Sequence, residues 1–238
     1  MAAVTTFVVD EADVEPVRED GDTASIRITF DSSNGCDRLE QRVIRFAPGR
    51  SHERTLDGRQ EVLFVVTGRG ELHLDGERHT LEPETGVFVA PGETYSVENP
   101  GPSELLAVSV LVAEDGAAPT GPRKVTVRFE DQPDLPASSE RTFRYLVNED
   151  AGCADLTQFL GLVQPSKAPM HSHPYDEVGY IVAGEGIAHV GGRSMPLRPG
   201  SCFHLPPDEI HCIENSGTTL MRILGVFHPS GSPASRAY

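Results

Sequence analysis

The second half of this chain repeats the first. Residues 61–99 align with residues 177–215 without a gap, and turn residues match as well as apolar ones. Identical pairs include Glu61/Glu177, Val66/Val182, Gly68/Gly184, Gly70/Gly186, Pro83/Pro199 and Asn99/Asn215. Self-similarity at a fixed offset indicates two copies of one structural unit. The 238 residues therefore predict two tandem domains, residues 1–119 and 120–238, each large enough to bury its own core.

Each copy has the pattern of a β-structure. Apolar runs such as residues 62–66 and 86–90 are short and bounded by Gly or Pro, as buried strands are. The 23 Gly and 19 Pro residues suit short strands joined by tight turns. We expect an all-β fold with a linker at residues 114–123, where small and turn-forming residues show no apolar period. A Pro-containing loop is expected at residues 131–139.

Possible metal ligands are concentrated in the second copy, where the sequence HSHPYDE begins at His171 and a further histidine follows at His211. Successive strand residues point to opposite faces, so His171 and His173 should point the same way. Pro174 cannot donate to a sheet ladder, which predicts a break there and lets Glu177 return to the same side. These nitrogen and oxygen donors suit Fe, Mn, Ni, Zn or Co. Ordinary surface histidines are the simpler alternative, but four donors at matching spacing rarely coincide.

The residues around these donors resemble the two signature motifs of the cupin superfamily. Gly184 follows Glu177 after six residues, and the second motif is matched by Gly200, Pro206, His211 and Asn215. The chain departs from the family pattern at two turn positions, where Pro165 and Asp208 replace glycines. With the repeat, the resemblance implies a bicupin, that is, two tandem cupin (jelly-roll type) β-barrels. It also implies one divalent metal ion per chain in the second barrel, whether Fe, Mn, Ni or Zn, held by His171, His173, Glu177 and His211.

The first copy lacks most of these donors. His52 stands alone, and Tyr95 occupies the position of His211, which leaves His52 and Glu61 as plausible ligands. Two protein donors rarely hold a transition metal in competition with water, so we expect the first barrel to be metal-free. It could serve instead as a lid, a dimerisation surface or a second binding pocket.

Composition narrows the class of partner. The net charge of −16 argues against nucleic acid, because a phosphate backbone would be repelled. The four cysteines have no Cys-x-x-Cys spacing and are expected to be buried free thiols in a reducing compartment. Neither a signal peptide nor an apolar run of membrane-spanning length is evident. We therefore expect a cytoplasmic protein that binds a small molecule. We also expect a homo-oligomer, most simply a dimer, because open sheet edges are often buried against a partner.

We interpret the chain as a metal-dependent enzyme acting on a small oxygen-rich metabolite, which binds the metal through an enolate, catechol-like or carboxylate oxygen. The complete donor set beside a degenerate copy favours dioxygenase-type oxidoreductase chemistry. A redox-neutral isomerase, cyclase or lyase is the alternative. The resemblance to small cupins of bacterial secondary metabolism is compatible with both. A non-enzymatic small-molecule-binding cupin would need only the barrel, and a closed tetrahedral site would indicate a structural metal.

Residues near the predicted ligands are candidates for the remaining roles. The candidate catalytic residues are Tyr175, His204 and His228. The candidate substrate-binding residues are Ile181, Ile213 and Met170. His73 and His189 recur at matching positions of the two copies, so we expect them to be structural. Asn215 is expected to satisfy backbone groups near a strand end.

Overall fold

The structure is a computed structural model that describes residues 6–56, 58–112 and 122–235. Within these ranges the regular structure is β-strand apart from four single-turn 3₁₀ helices, so the all-β prediction is confirmed. The 3₁₀ helices are Glu11–Asp13, Ser32–Asn34, Phe129–Asp131 and Glu149–Ala151. None of the helices in this part of the chain is long and apolar enough to cross a membrane.

The strands fall on either side of residues 113–121, which contain most of the predicted linker and lie outside the described residues. Those before it are β1 (Val8–Asp10), β2 (Val17–Arg18), β3 (Ala24–Phe30), β4 (Leu39–Phe46), β5 (Gly49–Arg50), β6 (Arg54–Thr55), β7 (Glu61–Thr67), β8 (Gly70–Leu74), β9 (Glu77–Leu81), β10 (Thr85–Val89), β11 (Thr94–Asn99) and β12 (Leu105–Val112). Those after it are β13 (Thr126–Arg128), β14 (Leu135–Ser138), β15 (Arg141–Val147), β16 (Thr157–Val163), β17 (Ser166–Lys167), β18 (Asp176–Ala183), β19 (Gly186–Val190), β20 (Arg193–Leu197), β21 (Ser201–Leu205), β22 (His211–Asn215) and β23 (Met221–His228).

These strands build two barrels, each made of one large sheet facing a smaller one. In the first barrel the seven-stranded sheet has the order β13-β10-β7-β12-β4-β3-β2, and it faces β5-β11-β8-β9, with β6 also paired to β11. In the second barrel the order is β1-β21-β18-β23-β16-β15-β14, facing β17-β22-β19-β20. The strand β14 lies inside the segment predicted to be a loop. Its Pro136 is tolerated because β14 is an edge strand.

Two strands cross between the barrels. The N-terminal β1 pairs antiparallel with β21 of the second barrel, and Phe7 just before it packs in that barrel's core. Reciprocally, β13 pairs with β10 of the first barrel although it follows the linker in sequence. The sheets therefore do not divide at the predicted boundary between residues 119 and 120, which itself lies outside the described residues.

The two large sheets pack face to face and share a core. This interface core takes apolar side chains from both barrels, among them Phe30, Phe64, Val178 and Leu224. A hydrogen bond also crosses between the barrels, since Gln41 Nε2 donates to the Gly179 carbonyl at 3.1 Å. The barrels are thus joined through a continuous apolar layer, and the outward face of each large sheet is covered by the other.

Corresponding side chains make the same hydrogen bonds in both barrels. Asn215 Nδ2 donates to the Val163 and Thr219 carbonyls, which confirms the prediction that it satisfies backbone groups, and Asn99 does so in the first barrel. His73 Nε2 lies 2.9 Å from Glu98, and His189 Nε2 lies 2.7 Å from Glu214. Such repeated pairs fit the structural role expected of both histidines.

Candidate metal centre and its cavity

Three of the four predicted ligands come together at one end of the second barrel. One ligand atom each from His173, Glu177 and His211 lies within 4.8 Å of the other two, and all three residues are buried. Glu177 is on β18, His211 opens β22, and His173 lies in the irregular segment that precedes β18. That segment follows from Pro174, so the predicted break in the strand is confirmed.

His171 lies beside this group but outside the set of three. Its backbone bridges that of His211, with hydrogen bonds in both directions, and the two imidazole rings have centroids 4.6 Å apart. His171 and His173 both line the same cavity, as the strand alternation predicted. The fourth predicted ligand is therefore adjacent to the other three, although its nitrogen is not in the compact group.

Each of the three imidazoles is oriented by a backbone carbonyl. The Nδ1 atoms of His171, His173 and His211 lie 3.0, 2.9 and 2.8 Å from the carbonyl oxygens of Pro169, Tyr175 and Glu209. A carbonyl only accepts, so each Nδ1 carries the hydrogen and donates it. In the neutral ring the lone pair is then on Nε2, and this is how metal-ligating histidines are usually held.

The charges in the group favour a cation between its members. His173 Nε2 lies 2.9 Å from Glu177 Oε2. Burial lowers the pKa of His173, but the hydrogen bond and charge of Glu177 outweigh it, so the pKa is raised overall. Burial is also the largest influence on His211 and lowers its pKa to about 4. His211 is therefore neutral near pH 7, and the carboxylate draws positive charge to His173. These residues fit a divalent metal ion in donor type, and a cation bound between them would take the place of the proton that Glu177 stabilises on His173.

The cavity beside the group has a volume of about 90 Å³. Predicted residues that line it, besides the ligands, are Tyr175 and Ile213. Tyr175 stacks on His173, with centroids 4.2 Å apart, and its hydroxyl donates to the Ser232 carbonyl at 2.9 Å. Pro233 and Ser235 also line the cavity, so the C-terminal segment closes one side of it.

The other four predicted residues lie away from the cavity. His204 alternates with Phe203 and Leu205, which line the cavity, so its ring is on the opposite face, where Nε2 is 2.8 Å from Asp176 Oδ1. His228 follows Phe227 and faces away for the same reason, with Nδ1 3.3 Å from the Asp155 carbonyl.

Ile181 and Met170 are displaced from the cavity for other reasons. Ile181 shares the inward face with Glu177 but is four residues farther along β18, in the barrel core. Met170 is 44% exposed. The alternation of side chains along a strand therefore predicts which face a residue is on. How far that residue lies from the metal group is known only from the fold.

Several cavity residues were not predicted. They include Arg141, Phe143, Phe159, Phe203 and Phe227. Phe143 and Phe159 lie outside the aligned segments of the repeat, so that comparison could not indicate them. One available signal was glycine inside apolar strands, at Gly179 and Gly225, because an isolated strand glycine often marks a close approach.

The equivalent position in the first barrel is filled by a different set of contacts. Tyr95, which replaces His211, donates its hydroxyl to buried Glu61 at 2.9 Å, and Ser109 donates to the other oxygen of the same carboxylate. Arg54 takes the backbone-pairing position of His171. His52 is instead at the surface, 3.5 Å from Glu19. Glu61 and His52 are thus not brought together.

The chain belongs to the cupin family. The family model described as Cupin domain matches residues 42–111 and 159–227, one match in each barrel. The prediction of a bicupin, two tandem cupin barrels, is confirmed.

Curated relatives match a part of the chain. The chain is 36% identical over 62 residues, 26% of its length, to an oxalate-binding protein of Thermotoga maritima, of which the match covers 51%. The chain spans about half the length of the curated relatives it matches.

Two solved structures share the fold over nearly the whole chain. One is a putative glyoxylate-induced protein from Pseudomonas aeruginosa, with a TM-score of 0.78, 17% identity, and coverage of 98% of this chain and 94% of that one. The other is a variant of Bacillus subtilis oxalate decarboxylase, with a TM-score of 0.76, 14% identity, and coverage of 98% and 79%. At sequence identities this low, the similarity shows only that the fold is shared.

The four cysteines are free and buried, as predicted.

Proposed function

We propose that the second barrel is the active centre of a metal-dependent enzyme that acts on a small oxygen-rich metabolite. The observation that carries the proposal is the set of three histidines whose Nδ1 atoms are each fixed by a carbonyl. A structural role alone would not require two buried imidazoles, those of His173 and His211, to be held with a ligand atom within 4.8 Å of one buried carboxylate. His171, His173, Glu177 and His211 would hold one divalent ion.

A divalent ion held there would act as a Lewis acid on bound substrate oxygens, or as a site for dioxygen if the ion is redox-active. The chain's own residues contribute the surroundings. Phe159, Phe227 and the C-terminal segment exclude water from the cavity, and Glu177 supplies the negative charge that favours a cation. Tyr175 is tied to Ser232, so its role is to orient the His173 ring on which it stacks.

Dioxygenase-type chemistry is the reaction class that we favour, with a redox-neutral isomerase, cyclase or lyase reaction as the alternative. The apolar, partly closed cavity supports the first choice because reactive oxygen chemistry requires water to be excluded. A second candidate is binding or decarboxylation of oxalate. It is favoured by the oxalate-binding relative and by the fold shared with oxalate decarboxylase, whose centres contain Mn(II).

Elemental analysis tests the metal centre. Protein purified without chelator or metal-affinity tag should contain about one Fe, Mn, Ni or Zn per chain. His173→Ala, Glu177→Ala and His211→Ala should each lose that metal, because each removes one of the three donors whose ligand atoms lie within 4.8 Å of one another. His52→Ala in the first barrel is the matched control and should retain it. Equal loss of metal from His52→Ala would contradict the assignment of the metal to the second barrel.

Turnover with and without oxygen tests the reaction class. At least one member of a panel of enols and catechols should be consumed in air by the metal-loaded protein, with oxygen uptake matching substrate loss, and oxalate is assayed beside them. Turnover that continues unchanged under nitrogen would contradict dioxygenase chemistry and favour the redox-neutral alternative. Carbon dioxide release from oxalate would favour the second candidate.

A further inference from the structure

The cavity beside the metal group has one polar wall and one aromatic wall. The polar wall consists of the predicted ligands. The aromatic wall consists of the rings of Phe143, Phe159, Tyr175, Phe203 and Phe227. Four of these rings touch in succession: Phe143 meets Phe159 edge-on at 6.2 Å, the Phe159 and Phe227 centroids are 4.8 Å apart, and those of Phe227 and Tyr175 are 4.3 Å apart. The Phe227 ring also lies 5.8 Å from His173, so the apolar wall reaches the metal group.

Glycines on neighbouring strands make room for these rings. A Cβ at Gly225 would lie 2.3 Å from a ring carbon of Phe159, and one at Gly179 would lie 2.1 Å from Phe203. Both contacts are far shorter than van der Waals distance. No side chain other than hydrogen can therefore occupy either position while the ring stays in place.

The first barrel has neither the rings nor the glycines. The repeat aligns Ser109 with Gly225 and Leu63 with Gly179. Strand register places Arg42 opposite Ser109, where the second barrel has Phe159 opposite Gly225. The aromatic wall is thus a property of the barrel that carries the complete donor set, and the shared fold does not require it.

An aromatic wall disfavours a ligand that carries a charged group at the end pointing away from the metal group. A carboxylate directed at these rings would lose its hydration without gaining a hydrogen bond, whereas a flat apolar group gains ring contacts. The one arginine that lines the cavity, Arg141, already donates to the Ile213 carbonyl. The volume sets an upper limit on size: an enclosed apolar cavity of roughly 150 Å³ takes one benzene ring, and the cavity here is about 90 Å³, so a single ring would fill it and extend through its open side.

We infer that the substrate is a small planar conjugated molecule, no larger than a single ring, with paired oxygens at one end and hydrocarbon at the other. The oxygens face the His173 group, and the hydrocarbon end lies among Phe143, Phe159 and Phe227. This inference rests on the proposed function, since it takes the metal group as the site of the oxygens. It separates the chain's substrate from dicarboxylates such as oxalate, which have no hydrocarbon end.

Calorimetric titration of the Mn-loaded protein under nitrogen tests the inference, with catechol and oxalate as probes. Both offer two oxygens to a metal, and only catechol carries a ring. Phe143→Ala should weaken catechol binding by about fivefold, the size of a lost aromatic contact, and leave oxalate binding within about twofold. Phe143→Leu preserves most of the side-chain volume and serves if the alanine variant does not fold. It should also lower the ratio of catechol affinity to oxalate affinity.

The matched control is Ile26→Ala, which removes the residue of the first barrel that corresponds to Phe143 by strand register. It should leave the affinities of both probes unchanged. Wild-type protein that prefers oxalate, or a Phe143 variant whose catechol-to-oxalate ratio equals that of the wild type, would overturn the inference while the metal centre stands. Failure of the proposed function would give a different result, because a protein that holds no metal at His173 would bind neither catechol nor oxalate.

Discussion

Glu61 illustrates how single side chains separate the two barrels. It occupies the place of Glu177, yet its carboxyl group accepts from Tyr95 and Ser109 and is fully buried. Burial is the largest influence on it and raises its pKa above the ordinary value of 4.5, even though Arg42 and the two hydroxyls act in the opposite direction. The same residue type therefore serves as a candidate ligand in one barrel and as a buried structural carboxyl group in the other.

The raised pKa of Glu61 predicts how stability depends on pH. The folded protein holds this proton more tightly than the unfolded chain. Its stabilising contribution is therefore present below pH 4.5 and is lost as the pH rises through the folded-state pKa. Glu61→Gln, which cannot ionise, should remove that part of the pH dependence. Urea unfolding of both proteins between pH 4 and pH 8 measures it. Parallel profiles for the two would show that Glu61 is ionised at no cost in the folded state.

Much of the candidate site could be predicted from residue types and their spacing. The four donors, the inward face of Ile213 and the loss of the site in the first barrel all follow from strand alternation and the repeat. The carbonyls that orient the imidazoles could not be predicted, because they lie in three irregular segments: before His171, around Pro174 and before His211. The aromatic wall was also missed, since Phe143 and Phe159 reach the site only through the pairing of β15, β16 and β23.

The C-terminal segment after β23 forms a strap, residues 229–235, across one side of the cavity. It is held by hydrogen bonds from the hydroxyl of Tyr175 to the Ser232 carbonyl and from the hydroxyl of Tyr145 to the Ser232 hydroxyl. The Ser230 hydroxyl also donates a hydrogen bond to the Ala154 carbonyl, and the Gly231 amide donates to the Thr157 hydroxyl. None of residues 229–235 is fully buried, so the strap should open at a lower free energy than the barrels unfold.

Removing one of these bonds should loosen the strap selectively. Tyr175→Phe keeps the ring on His173 but loses the bond to Ser232, a loss of about 1 kcal/mol, or roughly a fivefold rise in opening. Hydrogen exchange followed by mass spectrometry should show faster exchange in residues 229–235 and unchanged exchange in β18. Tyr95→Phe, the comparable loss of a buried tyrosine hydroxyl in the first barrel, is the control and should leave the strap unaffected. Faster exchange throughout the second barrel would mean that Tyr175 supports the barrel itself.

At the scale of the whole molecule, the repeat predicted two barrels but could not predict how they exchange strands. Strand periodicity contains no information on which distant edge β1 and β13 will each pair with. The pairing of β1 with β21 joins residues at opposite ends of the sequence. The expected homo-oligomer stays a prediction. Because the large sheets cover each other, we propose that a dimer would use the outer edges or smaller sheets, which light scattering at increasing concentration can test.

The exchanged strands predict that neither half of the chain is stable alone. Residues 120–238 expressed separately would lack β1 and Phe7 and would expose their share of the interface core, including Val178 and Leu224. Residues 1–119 would lack β13 and expose Phe64. Each half alone should therefore be insoluble or lack a cooperative thermal transition, since burial of large apolar areas dominates stability. Co-expression should restore a soluble complex that binds metal through the second half. A separately expressed second half that unfolds cooperatively as a monomer would show that the crossing strand and the shared core are dispensable, and the barrels would then be independent domains.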